Sequence, residues 1–135
     1  MADYKKIFMN YMDENHIHYN DHSEFAVRVP YSGKNLKVIP IFVAFDQEGR
    51  AAASIKCFEI ANFKGKEDIG LRLCNALHNQ YRWLKFYLDE DLDLIACLDT
   101  YFDENTCGFF CSDLVGRSVS IIDEVYPQIA SALWA

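Results

Sequence analysis

The sequence has no Gly-x-Ser-x-Gly, no His-Glu-x-x-His and no glycine-rich phosphate loop, and only six glycines from which to build a cradle of backbone amides. Those absences remove the local signatures of the serine hydrolases, the zinc metalloproteases and the nucleotide-binding loops. A Cys/His or Ser/His pair assembled in space stays open at this point, because its partners need only meet in the fold. No Cys-x-x-Cys pair occurs among the five cysteines, Cys57, Cys74, Cys97, Cys107 and Cys111. Their count is odd and their spacings wide, which reads as reduced, buried thiols in a cytoplasmic protein. Basic residues are also scarce, 13 Lys and Arg against 20 Asp and Glu, for a net charge of −7. A phosphate-tracking nucleic-acid binder neutralises phosphates with Lys and Arg, so no nucleic acid is expected as partner. Anionic membrane surfaces are disfavoured for the same reason, and a partner with a basic face is suited. No apolar run approaches membrane-spanning length, and the first ten residues contain no uninterrupted apolar stretch of the signal-peptide kind.

What remains is apolar and aromatic. Hydrophobic residues make up 51% and aromatics 15% of 135 residues. That suits one domain over residues 1–135 with a real core and apolar surface to spare. Ile7, Phe8, Tyr11 and Met12 recur at helical spacing over 3–16, with Asp3 as N-cap. Phe25, Val27, Val29 and Tyr31 alternate as in a strand, and Ser32-Gly33-Lys34-Asn35 supplies the following turn. Residues 36–45 and 50–61 predict two more strands. Pro40 marks an edge or a bulge because it cannot donate to a ladder. A helix is predicted over about 66–79, then strands over 81–88 and 92–101, then a helix over 105–134 that Pro127 should kink or divide near Val125. The order α-β-β-β-α-β-β-α implies an α+β fold: an antiparallel sheet with the helices on one face and the other face partly open.

Residues 72–91 resemble the YbjN domain family, a group of candidate bacterial sensory transduction regulators. The likeness lies in Asn75, Leu77 to Asn79, Arg82-Trp83-Leu84-Lys85-Phe86-Tyr87-Leu88 and Asp89-Glu90-Asp91. Val125-Tyr126-Pro127 with Ile129 and Leu133 fits the family's last helix. The residue match covers about a sixth of the chain, and element order most of the rest. The resemblance implies a fold shared with type III secretion chaperones, a bacterial source and a homodimer; it implies no reaction and no cofactor. The family has Gly in the acidic turn where this chain has Leu92, so a different turn conformation is expected here.

Four groups of residues are candidates for function. Asp89, Asp91 and Asp93 alternate like the opening of a calcium loop. The sixth position of that loop is Leu94 rather than Gly, and the twelfth is Thr100 rather than a bidentate carboxylate, so a solvated turn is expected. His16, His18 and His22, with Asp21, have the donor chemistry for zinc or nickel, but the segment also reads as a polar helix-to-strand connection. Cys107 and Cys111 lie one helical turn apart, and with no group nearby in sequence to lower a thiol pKa they read as helix-buried. The fourth group is the face opposite Leu84, Phe86 and Leu88: Tyr81, Trp83, Lys85 and Tyr87, joined by Ile95, Cys97 and Tyr101 of the next strand. Aromatic patches of that size are rarely left in water, and Trp and Tyr dominate binding hot spots. The sequence therefore reads as a non-enzymatic protein-interaction module, chaperone-like or regulatory, with Tyr81, Trp83, Lys85, Tyr87, Ile95 and Tyr101 as its partner or dimer surface. The alternative is a small metal-binding protein or enzyme using the histidine cluster.

Overall fold

Alternation of apolar and polar residues along the strands decides which side of the sheet is covered. In the computed structural model, which describes residues 2–135, Val27, Val29, Ile39, Ile41, Val43, Ile55, Leu94 and Leu98 all point to one side and are buried there. The strands are β1 (Asn20–Ser23), β2 (Ala26–Tyr31), β3 (Ile39–Phe45), β4 (Ala52–Asn62), β5 (Lys85–Leu88) and β6 (Asp93–Tyr101). The helices are α1 (Tyr4–Glu14), α2 (Glu67–Gln80) and α3 (Cys107–Leu133). One antiparallel sheet runs β1-β2-β3-β4-β6-β5. The expected α+β order holds, with β1 as an added short edge strand. All four residues of β1 are exposed, so no apolar period marks it in the sequence. Lys5 of α1 bonds Asp21 and the Ser23 carbonyl and so covers this edge.

Asp3 caps α1 as expected, accepting from Lys6 N at 3.1 Å. Pro40 lies where the β3–β4 ladder, which runs only from Phe42 to Phe45, has already ended. α1 meets α3 closely because Gly108 has no Cβ; one there would come within 2.6 Å of the Tyr11 side chain. The edge of β5 is tied to α2, where Phe86 N donates to His78 Nε2 at 2.7 Å.

Three expectations need correction. The strand foreseen over 81–88 begins only at Lys85, because Tyr81 caps α2 and Trp83 has φ +78°, outside any strand geometry. Leu92 has φ +64°, so the acidic turn adopts the left-handed conformation a glycine would supply, although the residue is leucine. α3 is not divided at Pro127. The ring removes the donor that would serve the Asp123 carbonyl, and Asn35 Nδ2 from the β2–β3 loop donates to that oxygen instead, at 2.9 Å. The Asp123 carboxylate accepts from the backbone N–H groups of Lys34, Asn35 and Leu36 at 2.8–3.1 Å, which holds the whole loop against the helix. These bonds, led by the one from Leu36, keep its carboxyl below the usual aspartate range. Gly33 is required beneath it: a Cβ there would lie 2.1 Å from the Asp123 oxygen.

Candidate functional site

The open face of the sheet carries the side chains that alternate with the core set. Register aligns one row across five strands: Lys85 opposite Cys97, Cys97 opposite Lys56, Lys56 opposite Phe42 and Phe42 opposite Arg28. A second row pairs Tyr87 with Ile95. Ile95 and Cys97 are buried yet stand outside the helix-side core, so the open face has a small apolar floor of its own. Lining it are Phe42, Phe58 (43% exposed) and Tyr87 (36% exposed). Phe58 stands out because β4 bulges there. Three residues, Phe58 to Ile60, fall opposite Ile95 alone, and Glu59 takes φ +56°. The Phe42 ring packs edge-on against both His22 and Phe58, with centroids 4.9 and 5.6 Å apart. Together with Pro40, Ala44 and Lys56 they frame a concavity of about 570 Å³.

The expected aromatic surface is therefore split in two. Lys85, Tyr87 and Ile95 belong to the open face, and Tyr101 (85% exposed) continues its parity to the end of β6. Tyr81 and Trp83 instead face α3. Burial, then the neighbouring Glu124 carboxylate, push the Tyr81 phenol above the ordinary value. Trp83, 60% exposed on its left-handed backbone, stands between two adjoining concavities of about 750 and 370 Å³. The larger lies against Gly116, Arg117 and Ser120 of α3; the smaller reaches Tyr101, Phe110 and Leu114. Arg117 at their junction is held by Asp113, one turn earlier, at 2.8 Å. Phe110 and the α3 side of this groove could not be read from sequence, because they meet Trp83 only through the fold.

The histidines do not converge. His16 sits just past the end of α1, His18 in the connection and His22 in β1 against Phe42. His16 has φ +55°, and its N–H bonds the Asp13 carbonyl while Ile17 N bonds Met12 O. That pattern is a Schellman cap, in which the residue takes its place for backbone geometry. Among the described residues the one set of three donor side chains close enough to share a metal is Asp89, Asp91 and Asp93, with ligand atoms within 4.8 Å of one another. The Asp89 and Asp93 carboxylates are already used by the turn. Asp89 Oδ1 accepts from Asp91 N and Asp93 N, and Asn62 Nδ2 donates to Asp93 Oδ1 and the Asp91 carbonyl.

All five thiols are buried and unbridged. Burial pushes Cys57 up to about 12. Hydrogen bonding with Cys107, then burial, push Cys111 well above the ordinary thiol range. At Cys57 and Cys111 such surroundings disfavour the thiolate. No helix among the described residues is long and apolar enough to cross a membrane.

No protein-family model matches the sequence, and no curated protein matches it. Solved structures do. The crystal structure of YbjN from E. coli, described as a candidate transcription regulator, superposes with a TM-score of 0.66 at 11% identity, over 92% of each chain. The Yersinia pestis type III secretion chaperone SycH, solved in complex with a stable fragment of YscM2, superposes with a TM-score of 0.51 at 14% identity, over 88% of this chain and 99% of that one. This chain has the fold shared by YbjN and that secretion chaperone.

Proposed function

We propose that this protein is a non-enzymatic interaction module, chaperone-like or regulatory, that holds a protein or peptide partner on the open face of its sheet. The observation that carries the reading is the uncovered face itself. All three helices pack on the other side, yet Phe42, Phe58 and Tyr87 stand over a buried floor of Ile95 and Cys97. Exposed aromatics around a concavity are the usual makings of a binding hot spot. The secretion chaperone of the same fold was solved with a fragment of another protein, which supports the class of function. Buried thiols with raised pKa fit a reducing, cytoplasmic setting and a binding role rather than thiol catalysis.

The homodimer belongs to the same reading, with the Trp83 groove as its contact. Trp83 sits at the tip of the tight turn closed by the Leu84 N–H to Arg82 carbonyl bond, and its exposed indole is the hot-spot type of side chain. Native mass spectrometry of untagged protein tests this half: a dimer is expected, and a monomer carrying metal or a small ligand would overturn it. Affinity capture from the source cell tests the other half with three baits: the native chain, Phe58→Asp and Trp83→Asp. A protein retained by the native and Trp83→Asp baits but lost by Phe58→Asp is expected. Equal retention by all three would refute the open face as the partner surface.

A further inference from the structure

We propose that the open sheet face selects an extended, acidic peptide segment carrying apolar anchor residues. The proposal rests on the reading of that face as the partner surface and adds the chemistry it recognises.

One row across the face departs from the charge pattern of the molecule. The chain carries seven more acids than bases. The row that crosses the sheet at Lys85, Cys97, Lys56, Phe42 and Arg28 nevertheless holds three cations and no acid. Arg28 donates to the neutral Asn20 side chain. Lys56 has no carboxylate partner among the described residues; its ammonium lies 6.0 Å from the Phe58 ring centroid. Lys85 reaches Asp99 at 3.6 Å, but that carboxylate also accepts a 2.6 Å bond from Ser54. Glu59 in the bulge is the one acid lining the concavity, and Asp93 and Asp99 stand farther off on the same face, along β6. Arg28 and Lys56, cations with no carboxylate partner among the described residues, stand around Phe42 on an uncovered face of an acidic chain and complement negative charge. Complementarity of this kind sets specificity and association rate more than raw affinity.

Dimensions and apolar content narrow the ligand to a peptide. From Lys85 to Arg28 the row makes four strand steps of ~4.8 Å, about 19 Å, which an extended segment of about six residues spans. The concavity beside Phe42 and Phe58 is large enough for one bulky apolar side chain between the charges. Single-stranded nucleic acid also brings negative charge, but it needs flat ring faces on which bases stack. Here Phe42 stands T-shaped to both His22 and Phe58, at interplanar angles of 69° and 63°, so the three rings form no flat stacking platform.

Amide chemical shifts of the isotope-labelled protein, titrated with four probes, test the proposal. Three are ten-residue peptides with the same Leu and Phe anchors, their other positions filled with Glu, Ser or Lys; the fourth is oligouridine. The Glu peptide should move resonances of Phe42, Lys56, Phe58 and Tyr87 and bind at least tenfold more tightly than the Lys peptide, with affinity falling as salt is raised. Lys56→Glu should reverse that order. Equal binding of the three peptides on this face would overturn the acidic selection and leave the interaction face standing. Peptides that shift only residues elsewhere, or none, would overturn both. Oligouridine binding more tightly than the Glu peptide would overturn the peptide in favour of nucleic acid.

Discussion

Four residues with side chains hold left-handed backbone, and each marks a different event: His16 ends α1, Glu59 bends β4, Leu92 turns the acidic hairpin and Trp83 precedes β5. For an L-residue that conformation costs about 1–2 kcal/mol, and glycine escapes it. His16 shows how a residue read for chemistry can be explained by geometry. Its bonds to Asp13 and from Ile17 to Met12 need a residue with positive φ, whichever side chain it carries. His16→Gly should therefore stabilise the protein by about 1 kcal/mol, read as a higher urea midpoint with an unchanged slope. A drop in stability would mean that the imidazole makes a contact the cap does not explain. Ser118 of α3 is the opposite case. Its hydroxyl is buried with no hydrogen-bond partner, at a cost of about 1–3 kcal/mol. Ser118→Ala should raise the thermal midpoint; no change would indicate that the hydroxyl is satisfied in solution.

At the level of elements, α3 depends on a loop distant in sequence. Pro127 frees the Asp123 carbonyl, Asn35 bonds it, and the Asp123 carboxylate gathers three N–H groups of the same loop. Because the folded pKa of Asp123 lies below its unfolded value, this contribution is full above about pH 4 and is lost as pH falls through the folded value. Asp123→Asn offers one acceptor where three donors converge. It should lower the melting temperature at pH 7 and lessen the loss of stability on going to pH 3, followed by circular dichroism. An unchanged acid profile would remove Asp123 as a source of that loss. None of this was legible in the sequence, since Pro127 and Asn35 show no relation until the fold brings them together. Local signals suffice elsewhere: the alternation at Val27–Tyr31 and Leu94–Leu98 and the helical spacing at Ile7–Met12 each correspond to the expected element. β1 escaped because Asn-Asp-His-Ser has no buried side to reveal it. Alternation alone carries the strand back past Lys85, because it does not register a positive φ at Trp83. That single torsion divided the candidate site. It turned Trp83 toward α3 and left Lys85 and Tyr87 on the open face.

For the whole molecule, the division yields two surfaces on opposite sides of one sheet edge, and the assignment of self-association to the groove can be separated from folding. Trp83 combines an exposed indole with a strained backbone, and two substitutions separate those features. Trp83→Ala removes the indole but keeps a Cβ in the left-handed region; Trp83→Gly removes both. If the groove is the dimer contact, sedimentation velocity should show both variants as monomers where the native chain is a dimer. Stability of the two monomers, compared at one protein concentration because association adds to apparent stability, should then differ by about 1 kcal/mol in favour of glycine. A native chain more stable than both at high concentration, but less stable than Trp83→Gly once diluted to monomer, would show that the strain is sustained by the contact the indole makes. Variants that remain dimeric would place the contact elsewhere, and the exposed apolar residues of the open face, Phe58 and Tyr87, would be next to test. A dimer built there would compete with the peptide for the same surface, so peptide binding would fall as protein concentration rises. With the dimer in the groove, peptide affinity should instead be independent of protein concentration, and measuring it at two concentrations a hundredfold apart decides between the arrangements.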